Sequence, residues 1–141
     1  MGRVLGLDVG DRRIGLALSD ALRLTAQPLG VLERRGLTDD LAAIAALVET
    51  HSIEAVVAGL PLNLRGEQGP QAQKVAAFVG ALRQRVPVPV HVVDERLTTV
   101  QGERMLREVG ASRAKRKQVI DRVAAQLILQ QFLDAQRPAG T

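Results

Sequence analysis

Hydrophobic positions along the chain alternate between short, nearly continuous apolar runs and longer stretches of helical spacing. Residues 3–10 (RVLGLDVG) form a β-prone run that carries one carboxylate, Asp8, to its tip and turns on glycine. Asp11-Arg12-Arg13 is turn-like and residues 14–20 (IGLALSD) form a second run, so the unit reads as a hairpin. A third strand is expected over 26–34, with Pro28 indicating an edge position. Thr38 can cap a helix running to about Thr50, in which Asp39 and Asp40 complement the positive dipole end and Leu41, Ile44, Leu47 and Val48 form the apolar stripe. Residues 53–60 (IEAVVAGL) have the composition of a strand buried on both faces.

Residues 61–69 read as loop, and Pro70 suits the first position of a helix ending near Arg85 with Val75, Phe78, Val79 and Leu82 inward. A buried strand over 88–93 ends in Asp94-Glu95-Arg96. Thr98 with Gln101 forms a capping box for a helix closed by Gly110. A basic loop over 111–117 then leads into a last helix through about Leu133. The predicted order, β-β-β-α-β-α-β-α-α, implies a mixed α/β sheet whose first three strands are antiparallel and whose later strands are fed by helical crossovers. A single domain is expected over 1–135, with a frayed tail over 136–141.

Composition narrows the function classes. No apolar run approaches the ~20 residues of a membrane span, and no signal-peptide pattern is present, so a cytoplasmic protein is expected. Zero cysteines exclude disulfides, thiolate zinc sites and a cysteine nucleophile. The net charge is +4, yet Arg104, Arg107, Arg113, Lys115, Arg116 and Lys117 stand against the single acid Glu108, a local balance of +5 that leaves −1 for the remainder. One basic patch on a near-neutral body points to a polyanionic partner. With no Trp or Tyr and two Phe, base stacking cannot be the main binding mode, which leaves backbone and shape recognition.

Three positions carry candidate acid chemistry. Open α/β sheets bind ligands beyond the carboxyl ends of their parallel strands, where Asp8 lies at one end and Asp94 and Glu95 at another. Side-chain alternation lets only one of that pair face the same way as Asp8. On the last helix, Asp121 falls in the same stripe as Ala124, Ala125, Ile128 and Phe132, whereas Arg122, Gln126 and Gln130 mark the polar side. An inward Asp needs a compensating cation, either a metal or a basic partner such as Lys117. His51 reads as a helix-end residue, His91 as strand packing, and Ser19 lies in no nucleophile-elbow pattern.

The runs DVGDRRIGLALSD (8–20), GLPLNLRGEQGP (59–70) and DERLTT (94–99), with the late helix bearing Asp121, together resemble the YqgF/RuvX family. That family is described as Holliday-junction resolvases and pre-16S rRNA nucleases of ribonuclease H-like fold. The resemblance implies a five-stranded mixed sheet and a nuclease whose acids are Asp8, Glu95 and Asp121, holding Mg²⁺ or Mn²⁺. It implies supporting roles for Asp94, Asn63, Arg96 and Thr98, and nucleic-acid contacts from Arg13 and the 104–117 cluster. Ribonuclease H-like nucleases usually carry an acid at the end of the fourth strand, where this chain offers Leu60, Pro61 and Asn63, so Glu95 on the fifth strand would substitute. The implied partners are branched DNA or precursor rRNA and no membrane, with a homodimer expected if the substrate is a four-way junction. Two rival readings are a non-catalytic nucleic-acid or partner-binding module on the same fold, and an actin-like nucleotide-binding fragment, which would need a second lobe.

Overall fold

A computed structural model describes residues 2–63, 65–95 and 114–136, with the side chains of the last helix from Val123 onward. The described elements are β1 (Arg3–Val9), β2 (Arg13–Ser19), β3 (Ala26–Glu33), α1 (Leu37–Thr50), β4 (Ile53–Leu60), α2 (Pro70–Arg85), β5 (Val90–Asp94) and α3 (Ala114–Gln136). The strands form one five-stranded sheet in the order β3-β2-β1-β4-β5. β1–β2 and β2–β3 pair antiparallel, whereas β1–β4 and β4–β5 are parallel.

Alternation along the strands divides their side chains between two cores. Leu5, Leu7 and Val9 of β1, Ile14 and Leu16 of β2, and Val56 and Ala58 of β4 pack with Ile44 and Val48 of α1 and with Val75, Phe78, Val79 and Leu82 of α2. The opposite face carries Val4, Ala17, Ala55 and Val57, which pack with Ala125, Leu129, Phe132 and Leu133 of α3. The central strands β1 and β4 are thus buried on both sides, as the continuous apolar run of β4 predicts. Burial of each larger side chain contributes about 1.5–3 kcal/mol.

Small residues set how closely α3 approaches. A Cβ on Gly6 would lie 2.7 Å from Leu129 Cβ and 3.1 Å from the Ala125 carbonyl oxygen, so the helix backbone rests almost directly on β1. Pro28 stands on the edge strand as expected, next to a register shift between Leu16 and Ala17 in the β2–β3 pairing.

Several local expectations are corrected. Helix α1 begins at Leu37 with Gly36 at the N-cap and no side-chain cap, so Thr38 does not cap it. Asp40 serves the helix entrance instead, accepting the Arg35 N–H at 3.0 Å and the Arg34 Nε–H at 2.9 Å while only 2% exposed. β5 begins at Val90, two residues late, because Pro87 and Pro89 cannot donate to a ladder. Helix α3 starts at Ala114, which places Lys115, Arg116 and Lys117 on the helix rather than in a loop, and it runs through Gln136 rather than ending near Leu133. Ala, Lys, Arg and Gln are strong helix formers, and that propensity prevails over the charge run.

Gln126 and Gln130 do not mark a solvent face. Gln126 Nε2 donates to the Ala26 carbonyl at 3.0 Å, the Ala26 N–H donates to Gln130 Oε1 at 3.0 Å, and Gln130 Nε2 donates to the Leu24 carbonyl at 3.1 Å. These amides satisfy backbone groups at the start of the edge strand β3. The expected 98–110 helix, with its capping box and Gly110, lies outside the described residues, as does the tail over 137–141.

Candidate active site

Asp8 is the next-to-last residue of β1 and shares the face of Val4 and Gly6, toward α3. It is 4% exposed. On β5, Val93 packs into the α3-side core and His91 stacks on Phe132 of α3 at 5.2 Å between ring centroids. Glu95 continues that alternation, so it faces α3 whereas Asp94 projects to the other side. Its backbone N–H donates to the Leu60 carbonyl at 3.2 Å, which holds the chain against β4 just past the end of the strand. Glu95 is 1% exposed.

Gly59 of β4 lies between these two acids. The β1–β4 register sets Leu7 beside Ala58, so Asp8 is level with Gly59, and Gly59 in turn pairs with Val93. Adjacent strands are only about 4.8 Å apart. The Glu95 carboxyl folds back over this glycine, since a Cβ there would come within 2.8 Å of its carboxyl carbon and 2.9 Å of Oε1. Asp8 and Glu95 therefore converge on one patch of sheet beneath α3. Burial first, and the neighbouring Asp94 charge second, push the Glu95 carboxyl up to about 7.

Asp94 acts here through its charge and its backbone, whose carbonyl accepts from Gln131 Nε2 at 3.2 Å. Asn63 is exposed and organises the loop after β4: its Oδ1 accepts the N–H groups of Arg65 and Glu67, each at 2.9 Å. Arg13 pairs with Glu33 across β2 and β3 at 2.9 Å, on the Asp8 face of the sheet. Asp121, Lys115, Arg116 and Lys117 all belong to α3, with side chains outside the described residues. Arg96, Thr98, Arg104, Arg107 and Arg113 lie outside the described residues altogether.

The other candidates have structural roles. His51 is the C-cap of α1. Ser19 Oγ accepts the Val4 N–H at 2.7 Å and donates to the Asp20 carbonyl at 2.9 Å, which ties the start of β1 to β2. Gly59 is the residue that sequence reasoning passed over. Its signal was a glycine inside a buried apolar strand, where the missing side chain marks a close approach.

Two buried carboxylates on one sheet face are hard oxygen donors suited to Mg²⁺ or Mn²⁺. Among the described residues no group of three His, Cys, Asp or Glu side chains is close enough to hold a metal ion, so Asp8 and Glu95 fit as part of a ligand set that a further acid would complete.

The sequence model of the family described as RuvX, Holliday junction resolvase, matches residues 2–135. A Moorella thermoacetica protein named "Putative pre-16S rRNA nuclease" is 53% identical over 132 residues, 94% of each chain. A Myxococcus xanthus protein of the same name is 49% identical over 139 residues, 99% of this chain and 92% of that one. Among solved structures, Thermus thermophilus RuvC in complex with Holliday junction substrate aligns with a TM-score of 0.59 at 18% identity over 96% of both chains. The Fowlpox virus resolvase bound to Holliday junction DNA gives 0.59 at 10% identity, covering 96% of this chain and 99% of that one. At such identities the likeness establishes the fold, which is ribonuclease H-like as the family resemblance implies. With the family match spanning nearly the whole chain and relatives about half identical along it, the chain belongs to the RuvX family.

Proposed function

We propose that the protein is a divalent-metal-dependent endonuclease that hydrolyses phosphodiester bonds in structured nucleic acid, with Asp8, Glu95 and Asp121 as its catalytic acids. The observation that carries this reading is the burial of Asp8 and Glu95 on one face at the carboxyl ends of β1 and β5. A bound Mg²⁺ or Mn²⁺ would supply water activation and charge stabilisation of the leaving oxygen. Asp8 and Glu95 would hold the ion from the sheet side, and Asp121, carried by the helix that covers this face, would complete the set. Asp94, whose charge raises the carboxyl of Glu95, would take a supporting role. Arg96 and Thr98 belong to the same DERLTT segment and take supporting roles there.

The names of the relatives favour precursor 16S rRNA as the substrate. The family description favours a four-way DNA junction, which would call for a homodimer because two symmetric cuts need two symmetric sites. Arg113, Lys115, Arg116 and Lys117 would contact phosphates, with Arg104, Arg107 and Arg13 extending the path. The deciding experiment incubates pure protein with each substrate, with and without Mg²⁺ or Mn²⁺, beside Asp8→Asn. Metal-dependent cleavage lost in that variant supports the reading. Binding of either substrate without cleavage would make the protein a binding module instead.

A further inference from the structure

A glycine runs against strand propensity in the buried interior of β4, yet Gly59 sits there between Ala58 and Leu60. A Cβ at this position would lie 2.6 Å from Ile128 Cδ1, 2.8 Å from the Glu95 carboxyl carbon and 2.9 Å from Glu95 Oε1. Ordinary carbon contacts are about 3.5–4.0 Å, so all three overlaps require movement. The two neighbours differ in how they can yield. Ile128 Cδ1 is the far end of an aliphatic chain and can change rotamer. The Glu95 carboxyl is enclosed between β4 and α3, with the residue 1% exposed and its backbone N–H bonded to the Leu60 carbonyl at 3.2 Å. A methyl group on Gly59 would therefore push the carboxyl off the ground between β5 and Asp8, which is level with Gly59 on the next strand.

We propose that Gly59 is a positioning residue for the acidic site: its missing side chain leaves the space in which the Glu95 carboxylate leans across β4 toward Asp8. The acid thus comes from β5 while its carboxyl group stands over β4. For its consequence in metal binding, the inference rests on the metal-dependent nuclease reading; for the carboxyl's position, it rests on geometry alone.

The test uses Gly59→Ala combined with Ile128→Val, because removing Cδ1 eliminates the 2.6 Å overlap and leaves the Glu95 overlap by itself. Ile128→Val alone serves as the reference. Mn²⁺ binding is followed by electron paramagnetic resonance, folding by circular dichroism, and the carboxyl position by a crystal structure of the metal-free double variant. The expected result is a folded double variant with a displaced Glu95 carboxyl and Mn²⁺ affinity about 10- to 100-fold below that of Ile128→Val, the range seen when support of a metal ligand is lost. A carboxyl unmoved in the crystal structure, or Mn²⁺ affinity equal to the reference, overturns the proposal. Absence of Mn²⁺ binding by the wild-type protein would instead sink the metal reading, and the crystal structure would still decide the role of Gly59.

Discussion

Asp40 and Glu95 are both buried carboxylates, 2% and 1% exposed, on opposite faces of the same sheet, and their surroundings drive them in opposite directions. At Asp40 burial favours the neutral acid, but the Arg35 N–H and the Arg34 guanidinium outweigh it and hold the carboxyl below its usual 3.8. The Arg34 guanidinium also lies 5.1 Å above the Phe78 ring and donates from Nη1 to the Gly10 carbonyl at 3.0 Å. At Glu95 burial is reinforced by the charge of Asp94, and the carboxyl is pushed up to about 7. The same burial is outweighed where an N–H and a guanidinium face the carboxyl and is reinforced where a second carboxylate stands beside it.

The comparison breaks most sharply at catalysis. Asp8→Asn and Glu95→Gln should each lower cleavage by about 10³-fold or more, as several kcal/mol of charge stabilisation are lost, while Asp94→Asn only reduces the rate. Single-turnover rates check this, and the melting temperatures of the Asp8 and Glu95 variants should hold or rise because like-charge repulsion is relieved. A large fall in melting temperature for Asp8→Asn would make that residue structural.

Proton linkage gives the next largest effect. Between the usual 4.5 of Glu95 and about 7, the folded metal-free protein keeps a proton that the unfolded chain releases, so stability falls as pH rises through that window. The cumulative loss should be about 3 kcal/mol at 1.36 kcal/mol per pH unit. It should vanish in Glu95→Gln and be offset by Mn²⁺, with urea titrations from pH 4 to 8 as the measurement. Asp40 has the opposite sign: its contribution is present above the usual 3.8 and is lost as pH falls through its lowered value.

Asp40→Asn should destabilise the protein by about 2 kcal/mol, because it breaks a pair in which the acid is buried and Arg34 is partly exposed. Cleavage per folded molecule should stay within a few-fold, in contrast to Glu95→Gln. Gln130→Ala, which strips two bonds from the edge of β3, should cost about 1 kcal/mol in urea denaturation and leave the pH profile of Glu95 untouched.

Local patterning along the chain was sufficient for the strand runs of β1, β2 and β4, for Pro28 on the edge, for Pro70 opening α2, and for the inward stripe of α3, because burial on one or both faces imposes periodicities of 2.0 and 3.6 that neighbouring residues record by themselves. Alternation also separated Asp94 from Glu95 onto opposite sides of the strand, while the choice of Glu95 came from the family resemblance. Tertiary structure alone decided what the polar residues do. Asp40 looked like a helix-dipole acid and is a buried partner of Arg34; Gln126 and Gln130 looked solvated and bind the edge of β3. Gly59 looked like one more small residue in an apolar run, yet it is the floor beneath a carboxyl from another strand. The glutamines and Gly59 depend on partners distant in sequence, 104 residues away for Gln130 and Ala26, whereas the partners of Asp40 are only five and six residues away but lie outside its helix. A local pattern encodes which side of an element is inward, but not which group from elsewhere will stand opposite.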